Sequence, residues 1–352
     1  MALPYLQFLW DTLACVLGVF CGNLLPKLHV PTKDLTGKTA IVTGANSGIG
    51  YQLALDLATQ GATVFLACRN LTKAEEARQN IVDTIVSSSK AGLESRAQLL
   101  EKVIVIELDT SLLSSVRAFA QIWQTRYRAR QIDILLHNAG MTSTTHSGTV
   151  TSEGLGTIYT TNFLSAFLLT ALLEDDLAPD ARVILTSSVA QSVGNLNNIL
   201  KNARGAAPPG AKVPDSLHYA DTKLMQIAFA HLLQERWNRN HSRPNTNHHH
   251  RTINAFGPGY TYTPIFDKIT ALPIYVDPLF WLVKAGTVMA TPVQQGAATG
   301  LWLATSDDAE VLAGGGFWDR MVKRMSLVDV VSGETLEKVW ACWERDGDVV
   351  WK

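Results

Sequence analysis

The sequence lacks a field of charge. Its 30 lysines and arginines stand against 31 aspartates and glutamates, a formal net charge of −1. Neither sign gathers into a basic patch or an acidic tail, which argues against a protein that grips nucleic acid through its overall charge. Cysteine is sparse as well. Cys15, Cys21, Cys68 and Cys342 form no CxxC pair and no zinc spacing, so a reduced compartment fits better than a disulfide framework. His248, His249 and His250 stand side by side in a polar loop. They lack the separated spacing that converges ligands on one ion, and no Cys or carboxylate lies close by, so no metal is expected. The sequons at Asn70 and Asn240 are short matches of a kind that chance supplies, and neither is expected to carry a glycan.

The amino terminus lacks charge in another way. "ALPYLQFLWDTLACVLGVFCGNLLP" is apolar except for Asp11, and it approaches the ~20 residues with which a helix crosses a bilayer. No cationic segment precedes it, which argues against a cleaved signal peptide. Lys27, Lys33 and Lys38 follow it, which would keep the main domain on the cytoplasmic side if the helix spans. The alternatives are a helix packed on the protein's own surface or one lying in a membrane interface. Residues 1–30 are therefore read as an apolar helix and a possible membrane anchor. The expected location is membrane-associated with the rest of the chain facing the cytoplasm, or otherwise cytoplasmic.

From Lys38 onward apolar strands alternate with amphipathic helices. "KTAIVTG", "ATVFLAC", "VIVIELD", "IDILLHNAG", "RVILTSS" and "RTINAFG" read as buried strands. Helices are expected between them: "GIGYQLALDLATQG" ending at Gly61, "TKAEEARQNIVDTIVSS" opened by a Thr72/Glu75 capping box, "SLLSSVRAFAQIWQTRY", roughly Glu153 to Leu173, and the stretch around Tyr219. Such alternation means a parallel sheet covered on both faces. The fold class is α/β, a doubly wound parallel sheet of Rossmann type, with residues 31–352 as one domain behind the N-terminal helix. "SSSKAGLESRAQLLEK" and "NRNHSRPNTNHHHRT" look like insertions, and Trp340, Trp343 and Trp351 read as helix packing or a docked tail.

The first strand runs into "TGANSGIG". Gly44, Gly48 and Gly50, with Asn46, Ser47 and Ile49 between them, make a turn in which backbone can approach a pyrophosphate at a helix N-terminus. The strand–turn–helix context supports dinucleotide binding over a merely tight turn. At the end of the second strand stands Arg69 rather than an acidic residue. A carboxylate would repel a ribose 2′-phosphate and a guanidinium can hold it bidentately, so NADP is favoured over NAD.

"HYADTKLMQ" sets Tyr219 four residues before Lys223 on a helix face. Alone, such a pair is most often an ordinary surface contact. An ammonium ~4 Å from a phenol, at an effective dielectric of ~20, is worth ~4 kcal/mol, about three pKa units. That would bring a phenol from about 10 toward a useful acid/base range.

Together these residues resemble the short-chain dehydrogenase/reductase family, over roughly Leu35 to Gly316. "TGANSGIG" resembles its cofactor loop, and Asp109 its adenine-contacting aspartate. "HNAG" resembles its NNAG element, with His137 in place of the first asparagine, then Asn138, Ala139 and Gly140. Asn162 matches the catalytic asparagine, Ser188 in "LTSSVA" the catalytic serine, and Tyr219 and Lys223 the YxxxK pair. "PGYTYT" matches the element beside the nicotinamide, assigning Pro258, Gly259 and Thr263. The resemblance implies hydride transfer between nicotinamide and a carbonyl or carbinol carbon. Tyr219 would move the proton, Lys223 would hold the ribose, Ser188 would orient the substrate oxygen, and Asn162 would support a water relay.

The long connection between Ser188 and Tyr219, the "ACRN" after the second strand, and Thr291, Pro292, Gly296 and Ala297 resemble the branch of retinol dehydrogenases and WW-domain oxidoreductases. A looser likeness is to fungal natural-product reductases of secondary metabolism. The segment about 264–292 is expected to cover the substrate. Its Phe266, Tyr275, Phe280 and Trp281 suit a bulky lipophilic molecule of terpenoid, steroid, retinoid or polyketide type, although a core or dimer helix reads as well. The expected partners are that small molecule, a membrane and possible second copy of the chain, with no nucleic acid. Two other readings stay open: a non-catalytic NADP-sensing regulator, and an isomerase or epimerase using transient hydride transfer.

Overall fold

Six runs of aliphatic residues meet the expectation directly. β1 (Thr39–Thr43), β2 (Thr63–Cys68), β3 (Val103–Glu107), β4 (Ile132–His137), β5 (Leu177–Thr186) and β6 (Thr252–Gly257) pair in parallel. β1, β2 and β6 are buried along their whole length, as strands covered on both faces must be. The computed structural model describes residues 2–88, 95–142, 149–205, 215–241, 250–261 and 290–351. It adds two short strands that periodicity could not reveal, β7 (Phe317–Asp319) and β8 (Val322–Arg324). Among the described residues the sheet order is β3-β2-β1-β4-β5-β6-β7-β8, with only the last pair antiparallel. Strand order reverses between β1 and β4. The crevice at their carboxyl ends is where a doubly wound sheet binds its ligand.

The helices are α1 (Ala2–Cys21), α2 (Gly48–Thr59), α3 (Leu71–Ser87), α4 (Arg96–Lys102), α5 (Leu113–Ile122), α6 (Thr157–Tyr159) and α7 (Ser165–Leu173). They continue with α8 (Asn197–Lys201), α9 (Asp215–His241), α10 (Val293–Thr305), α11 (Ala309–Ala313) and α12 (Gly333–Gly347). One core cluster joins α2, α3 and α10 to one sheet face; the other joins α5, α7, α9 and α12 to the opposite face. Trp340, Trp343 and Trp351 belong to the second. Trp343 packs 4.6 Å from Phe163 and Trp351 5.1 Å from Phe167, and the Arg236 guanidinium lies 3.8 Å over Trp340. This aromatic layer backs α9, the helix that carries Tyr219 and Lys223.

Two local expectations are corrected. α3 is capped by Asn70, whose side chain accepts the Lys73 N–H at 2.9 Å, and not by a Thr72/Glu75 box. Asn70, two residues earlier, has extended backbone and starts the helix at Leu71, which leaves Thr72 inside the first turn. The helix expected from Glu153 starts at Thr157. Glu153 instead accepts the N–H groups of Leu113 at 2.7 Å and Ser114 at 2.9 Å, so it caps α5 from a distant loop.

For α1 the structure bears on the alternatives left open. Among the described residues no helix is long and apolar enough to cross a membrane. Asp11, 5% exposed, turns inward to pair with Arg324 at 3.2 Å and to accept the Met325 N–H at 3.0 Å. Phe8 and Cys15 are buried on the same side. A charge bound this way belongs to a helix docked on its own protein, because the lone carboxylate would be costly in hydrocarbon. The docking site is the carboxyl edge of the sheet. Thr12 meets Ser192 just past β5. Gly18 shares a small hollow with Gly257 at the end of β6 and with Pro258 and Gly259 just past it. Cys15 hydrogen-bonds Asp319, the last residue of β7, whose carboxyl burial lifts to about 6.

Candidate active site

Four turns meet at the carboxyl ends of β1, β4, β5 and β6. The first, Gly44 to Gly50, has positive φ at Gly44 (66°) and Gly48 (57°). A Cβ on Gly50 would lie 2.4 Å from the Asn138 amide nitrogen and 2.5 Å from the Gly44 carbonyl oxygen, so only glycine lets this turn rest on the second. Thr43 locks the two together. Its hydroxyl oxygen accepts the N–H groups of Asn138 at 2.9 Å and Ala139 at 3.0 Å. Asn138 returns a side-chain bond to the Thr43 carbonyl at 3.3 Å. Ser47 stands at the N-cap of α2 with extended backbone but makes no capping side-chain bond. The leading N–H groups of α2 are thus left to an anion, which fits a pyrophosphate. Asn46 and Ile49 are half-buried in the same turn.

Arg69 is exposed, one residue beyond β2. Asp109, past β3, accepts the Ser111 N–H at 2.9 Å and its hydroxyl at 2.7 Å through one carboxylate oxygen, while the Asp109 N–H donates to Ser115 at 3.0 Å. His137 ends β4 in the core. Burial pushes its imidazole down to about 3, so it is neutral at physiological pH. Thr170 donates its hydroxyl to the Ala166 carbonyl, so the His137 Nε2–H must donate to Thr170, at 2.8 Å. His137 is a strut, not an acid or base.

Asn162 lies in a five-residue π turn, Thr160–Leu164, between α6 and α7. Such wider turns recur at functional sites. Its side chain is fully engaged: Oδ1 accepts the Met141 N–H at 2.8 Å, and Nδ2 donates to the Met141 carbonyl at 2.9 Å and to Thr222 at 3.2 Å. It holds the strip after Gly140. A Cβ on Gly140 would approach Asn162 Oδ1 to 3.4 Å and Lys223 Nζ to 3.7 Å, which puts this glycine between the two.

Ser188 caps the turn that leaves β5, accepting the Ala190 N–H at 3.2 Å. Its hydroxyl is also hydrogen-bonded to the Tyr219 phenol. Lys223, 4% exposed, donates to the Thr186 carbonyl at 2.6 Å and has its Nζ 5.3 Å from the centre of the Tyr219 ring. Ser187 donates to the Lys223 carbonyl at 2.8 Å, and Asp221 binds the Asn195 N–H and the Asn198 amide, both at 2.7 Å. The Asp221 bonds hold the part of the long Ser188–Tyr219 connection around Asn195 and Asn198 against α9. Pro258 and Gly259 follow β6, with φ of 67° at Gly259. Thr263, most of the segment 264–292 and the pair His248 and His249 lie outside the described residues.

The electrostatics depart from expectation. Burial raises the Tyr219 phenol above its ordinary value, opposed only by the Ser188 hydrogen bond. Burial also draws the Lys223 ammonium down to about 7. The expected depression of Tyr219 by about three units assumed a fully charged lysine in a half-wet site. A dry site penalises both charges, and a half-protonated lysine has little left to give. Sequence reading also missed Thr43, Ser187, Thr222 and Gln226. Gln226 carried a signal: it stands at i+7 from Tyr219, on the same face, amid buried apolar residues.

The sequence profile described as short chain dehydrogenase matches residues 38–200. Human retinol dehydrogenase 14 is 32% identical over 307 residues, covering 86% of this chain and 84% of that protein. The chain belongs to the short-chain dehydrogenase/reductase family. Within it, mouse retinol dehydrogenase 12 is 29% identical and is covered to 93%. The WW domain-containing oxidoreductase of Drosophila melanogaster is 31% identical, and the chain spans 64% of its length. Among solved structures, a protein of Mycobacterium paratuberculosis is similar with a TM-score of 0.64 and 27% identity, over 91% of this chain and 97% of that one. The fold also matches, at 18% identity and a TM-score of 0.55, a Beutenbergia cavernae protein assigned as an NAD(P)-dependent gluconate 5-dehydrogenase and described with bound NADP; 82% of this chain and 97% of that one are covered. The family's chemistry is nicotinamide-dependent oxidation and reduction, and the glycine turn, the uncapped α2 and Lys223 fit such a dinucleotide.

Proposed function

We propose that this short-chain dehydrogenase/reductase uses NADP to interconvert a carbonyl and an alcohol on a lipophilic small molecule of retinoid, steroid, terpenoid or polyketide type. The observation that carries the reading is the meeting of Ser188, Tyr219 and Lys223 beside the glycine turn. The nicotinamide supplies or accepts a hydride. Ser188 holds the substrate oxygen, and Tyr219 gives it a proton as negative charge develops there. A phenol whose pKa is raised stays protonated at neutral pH and is still a far stronger acid than a carbinol. Reduction is therefore the direction favoured near neutrality, and oxidation gains as pH rises. Lys223 steadies the phenolate left behind and offers an N–H to the nicotinamide ribose. The test is net NADPH oxidation with lipophilic ketones and aldehydes, with recovery of the alcohol. NADPH bound but not consumed would favour a sensor, and an isomerised product without net oxidation would favour an epimerase.

NADP preference rests on Arg69. Exchanging it for aspartate removes charge-assisted bonds worth ~1.5–3 kcal/mol, so Arg69→Asp should weaken NADPH binding by ~10- to 10²-fold while sparing NADH. Dissociation constants for both cofactors decide this; wild-type affinity for NADH equal to that for NADPH would refute it.

Membrane association is supported by the outer face of α1. Tyr5, Leu6, Leu9, Trp10, Leu13 and Leu17 are all exposed, Trp10 at 66%, while Asp11 faces inward. A helix docked by one face and apolar on the other suits lying in a lipid interface, with its aromatic rings at headgroup depth. Because α1 crosses the carboxyl edge of the sheet, that arrangement would present the substrate entrance to the lipid. Full-length protein should float with liposomes, and Leu9→Glu with Leu13→Glu should remain in the soluble fraction. A wild type that does not float overturns the reading.

A further inference from the structure

We propose that Gln226 is a positioning residue: its carboxamide ties the Lys223 ammonium to the π turn of Asn162 and fixes the direction in which that ammonium points. The inference rests on the reading of Tyr219 and Lys223 given above and names a residue that the motif pattern does not contain.

Gln226 is 1% exposed, and its neighbours Leu224, Met225, Ile227, Ala228 and Phe229 are buried apolar residues. A carboxamide in such a place is costly unless both of its ends are bonded. Its nitrogen donates to the Asn162 carbonyl oxygen at 2.8 Å. That bond decides the orientation of the amide, because two oxygens would repel at this distance. The Gln226 oxygen must then face the other way, and Lys223 Nζ lies 3.4 Å from it.

An ammonium has three N–H groups. The Thr186 carbonyl takes one at 2.6 Å, and Gln226 faces a second. The third is left on the side of Gly140, whose missing Cβ would stand 3.7 Å from Nζ. Two fixed oxygens behind the ammonium thus aim its remaining donor at the strip where the cofactor would lie. No carboxylate or second cation among the described residues contributes to the environment of Lys223; Tyr219 is the titratable group in contact with it. The charged form of a fully buried lysine therefore leans on two neutral oxygens, and removing one should make it deprotonate more readily.

The same amide takes up the Asn162 backbone carbonyl. A primary amide holds a donor and an acceptor in place but does not pass protons at neutral pH. The link from Asn162 to Lys223 along this path is thus a fixed dipole and not a relay. Gln226 acts through Lys223 and touches no reacting atom.

The test is the pH dependence of NADPH affinity, which needs no substrate. It is measured on the full chain for wild type, Gln226→Leu and Gln226→Glu, with thermal unfolding as a fold check. Gln226→Leu keeps the volume and removes both bonds. Its midpoint for loss of affinity should fall by about one pH unit, with affinity at pH 7 reduced about fivefold. Gln226→Glu keeps an acceptor and adds a charge, so its midpoint should rise by about one unit or more. This variant carries the readout if the leucine variant does not fold. Midpoints that stay at the wild-type value in folded variants, whatever happens to thermal stability, overturn the proposal. A wild type with no Lys223-dependent midpoint would instead sink the parent reading, and this inference with it.

Discussion

Tyr219→Phe should lose ~10²- to 10⁴-fold in turnover, the usual worth of a positioned general acid, while binding NADPH within about twofold of wild type. The substitution deletes one oxygen and its proton. It leaves the ring over which Lys223 sits, 5.3 Å from the centroid, and leaves the buried packing of α9 intact. The loss should fall on kcat and kcat/KM together, because the proton is needed in the transition state and not for binding. Ser188→Ala should show a smaller fall of the same kind, since its hydroxyl bonds the phenol and orients the substrate oxygen but is not the proton source. Steady-state kinetics on an active lipophilic carbonyl, with a cofactor titration of each variant, check this. Near-normal turnover in Tyr219→Phe would refute the assignment.

The second large effect is on pH dependence. In the protein alone burial draws Lys223 down to about 7. The form that donates to a ribose hydroxyl is the ammonium. Affinity for NADPH should therefore be full below about 7 and decline as pH rises through it, approaching tenfold per unit. Cofactor contacts that favour the ammonium raise its pKa, so binding near neutrality should take up protons, and the complex should keep its charge to higher pH. Lys223→Met should bind NADPH weakly and without this step. The methionine variant also controls for titration of the cofactor itself. Isothermal titration in buffers of different ionisation enthalpy reads both the affinity and the proton count. Equal affinity of the wild type at pH 6 and pH 9 would contradict the role given to the ammonium.

What the sequence made legible was local. "TGANSGIG" between a strand and a helix announces its turn because the glycines, the strand and the helix are neighbours in the chain. Tyr219 and Lys223 share a face by helical period, and the alternation of elements fixes the sheet. What stayed hidden depended on contacts between distant segments. Asp11 read as a flaw in an apolar run because its partner Arg324 lies at the other end of the chain. Glu153 looked like the start of a helix, and it caps a different one. Asn70 caps the helix two residues before Thr72, a choice that backbone geometry makes.

The site was legible as a set of residues and not as an electrostatic environment. A phenol and an ammonium four residues apart suggest mutual stabilisation, but burial weakens both charged forms, and the depth of a site is not written in its motif. Gln226 illustrates the same limit. Its position on the Tyr219 face could be counted, whereas its bond to the Asn162 carbonyl needed the π turn to bring that oxygen within 2.8 Å. Thr43 likewise reads as part of the strand, and its hold on Asn138 and Ala139 emerges only when β1 and β4 pair.

Deuterium on the transferring carbon of NADPH follows the chemistry most directly. With a lipophilic ketone or aldehyde that the wild type consumes, each alcohol formed should carry one deuterium on its carbinol carbon and be matched by one NADP. Tyr219→Phe should form the labelled alcohol ~10²- to 10⁴-fold more slowly. Product whose carbinol carbon carries no label, or an altered substrate with the deuterated NADPH recovered unchanged, would contradict hydride transfer to a carbonyl as the reaction of this site.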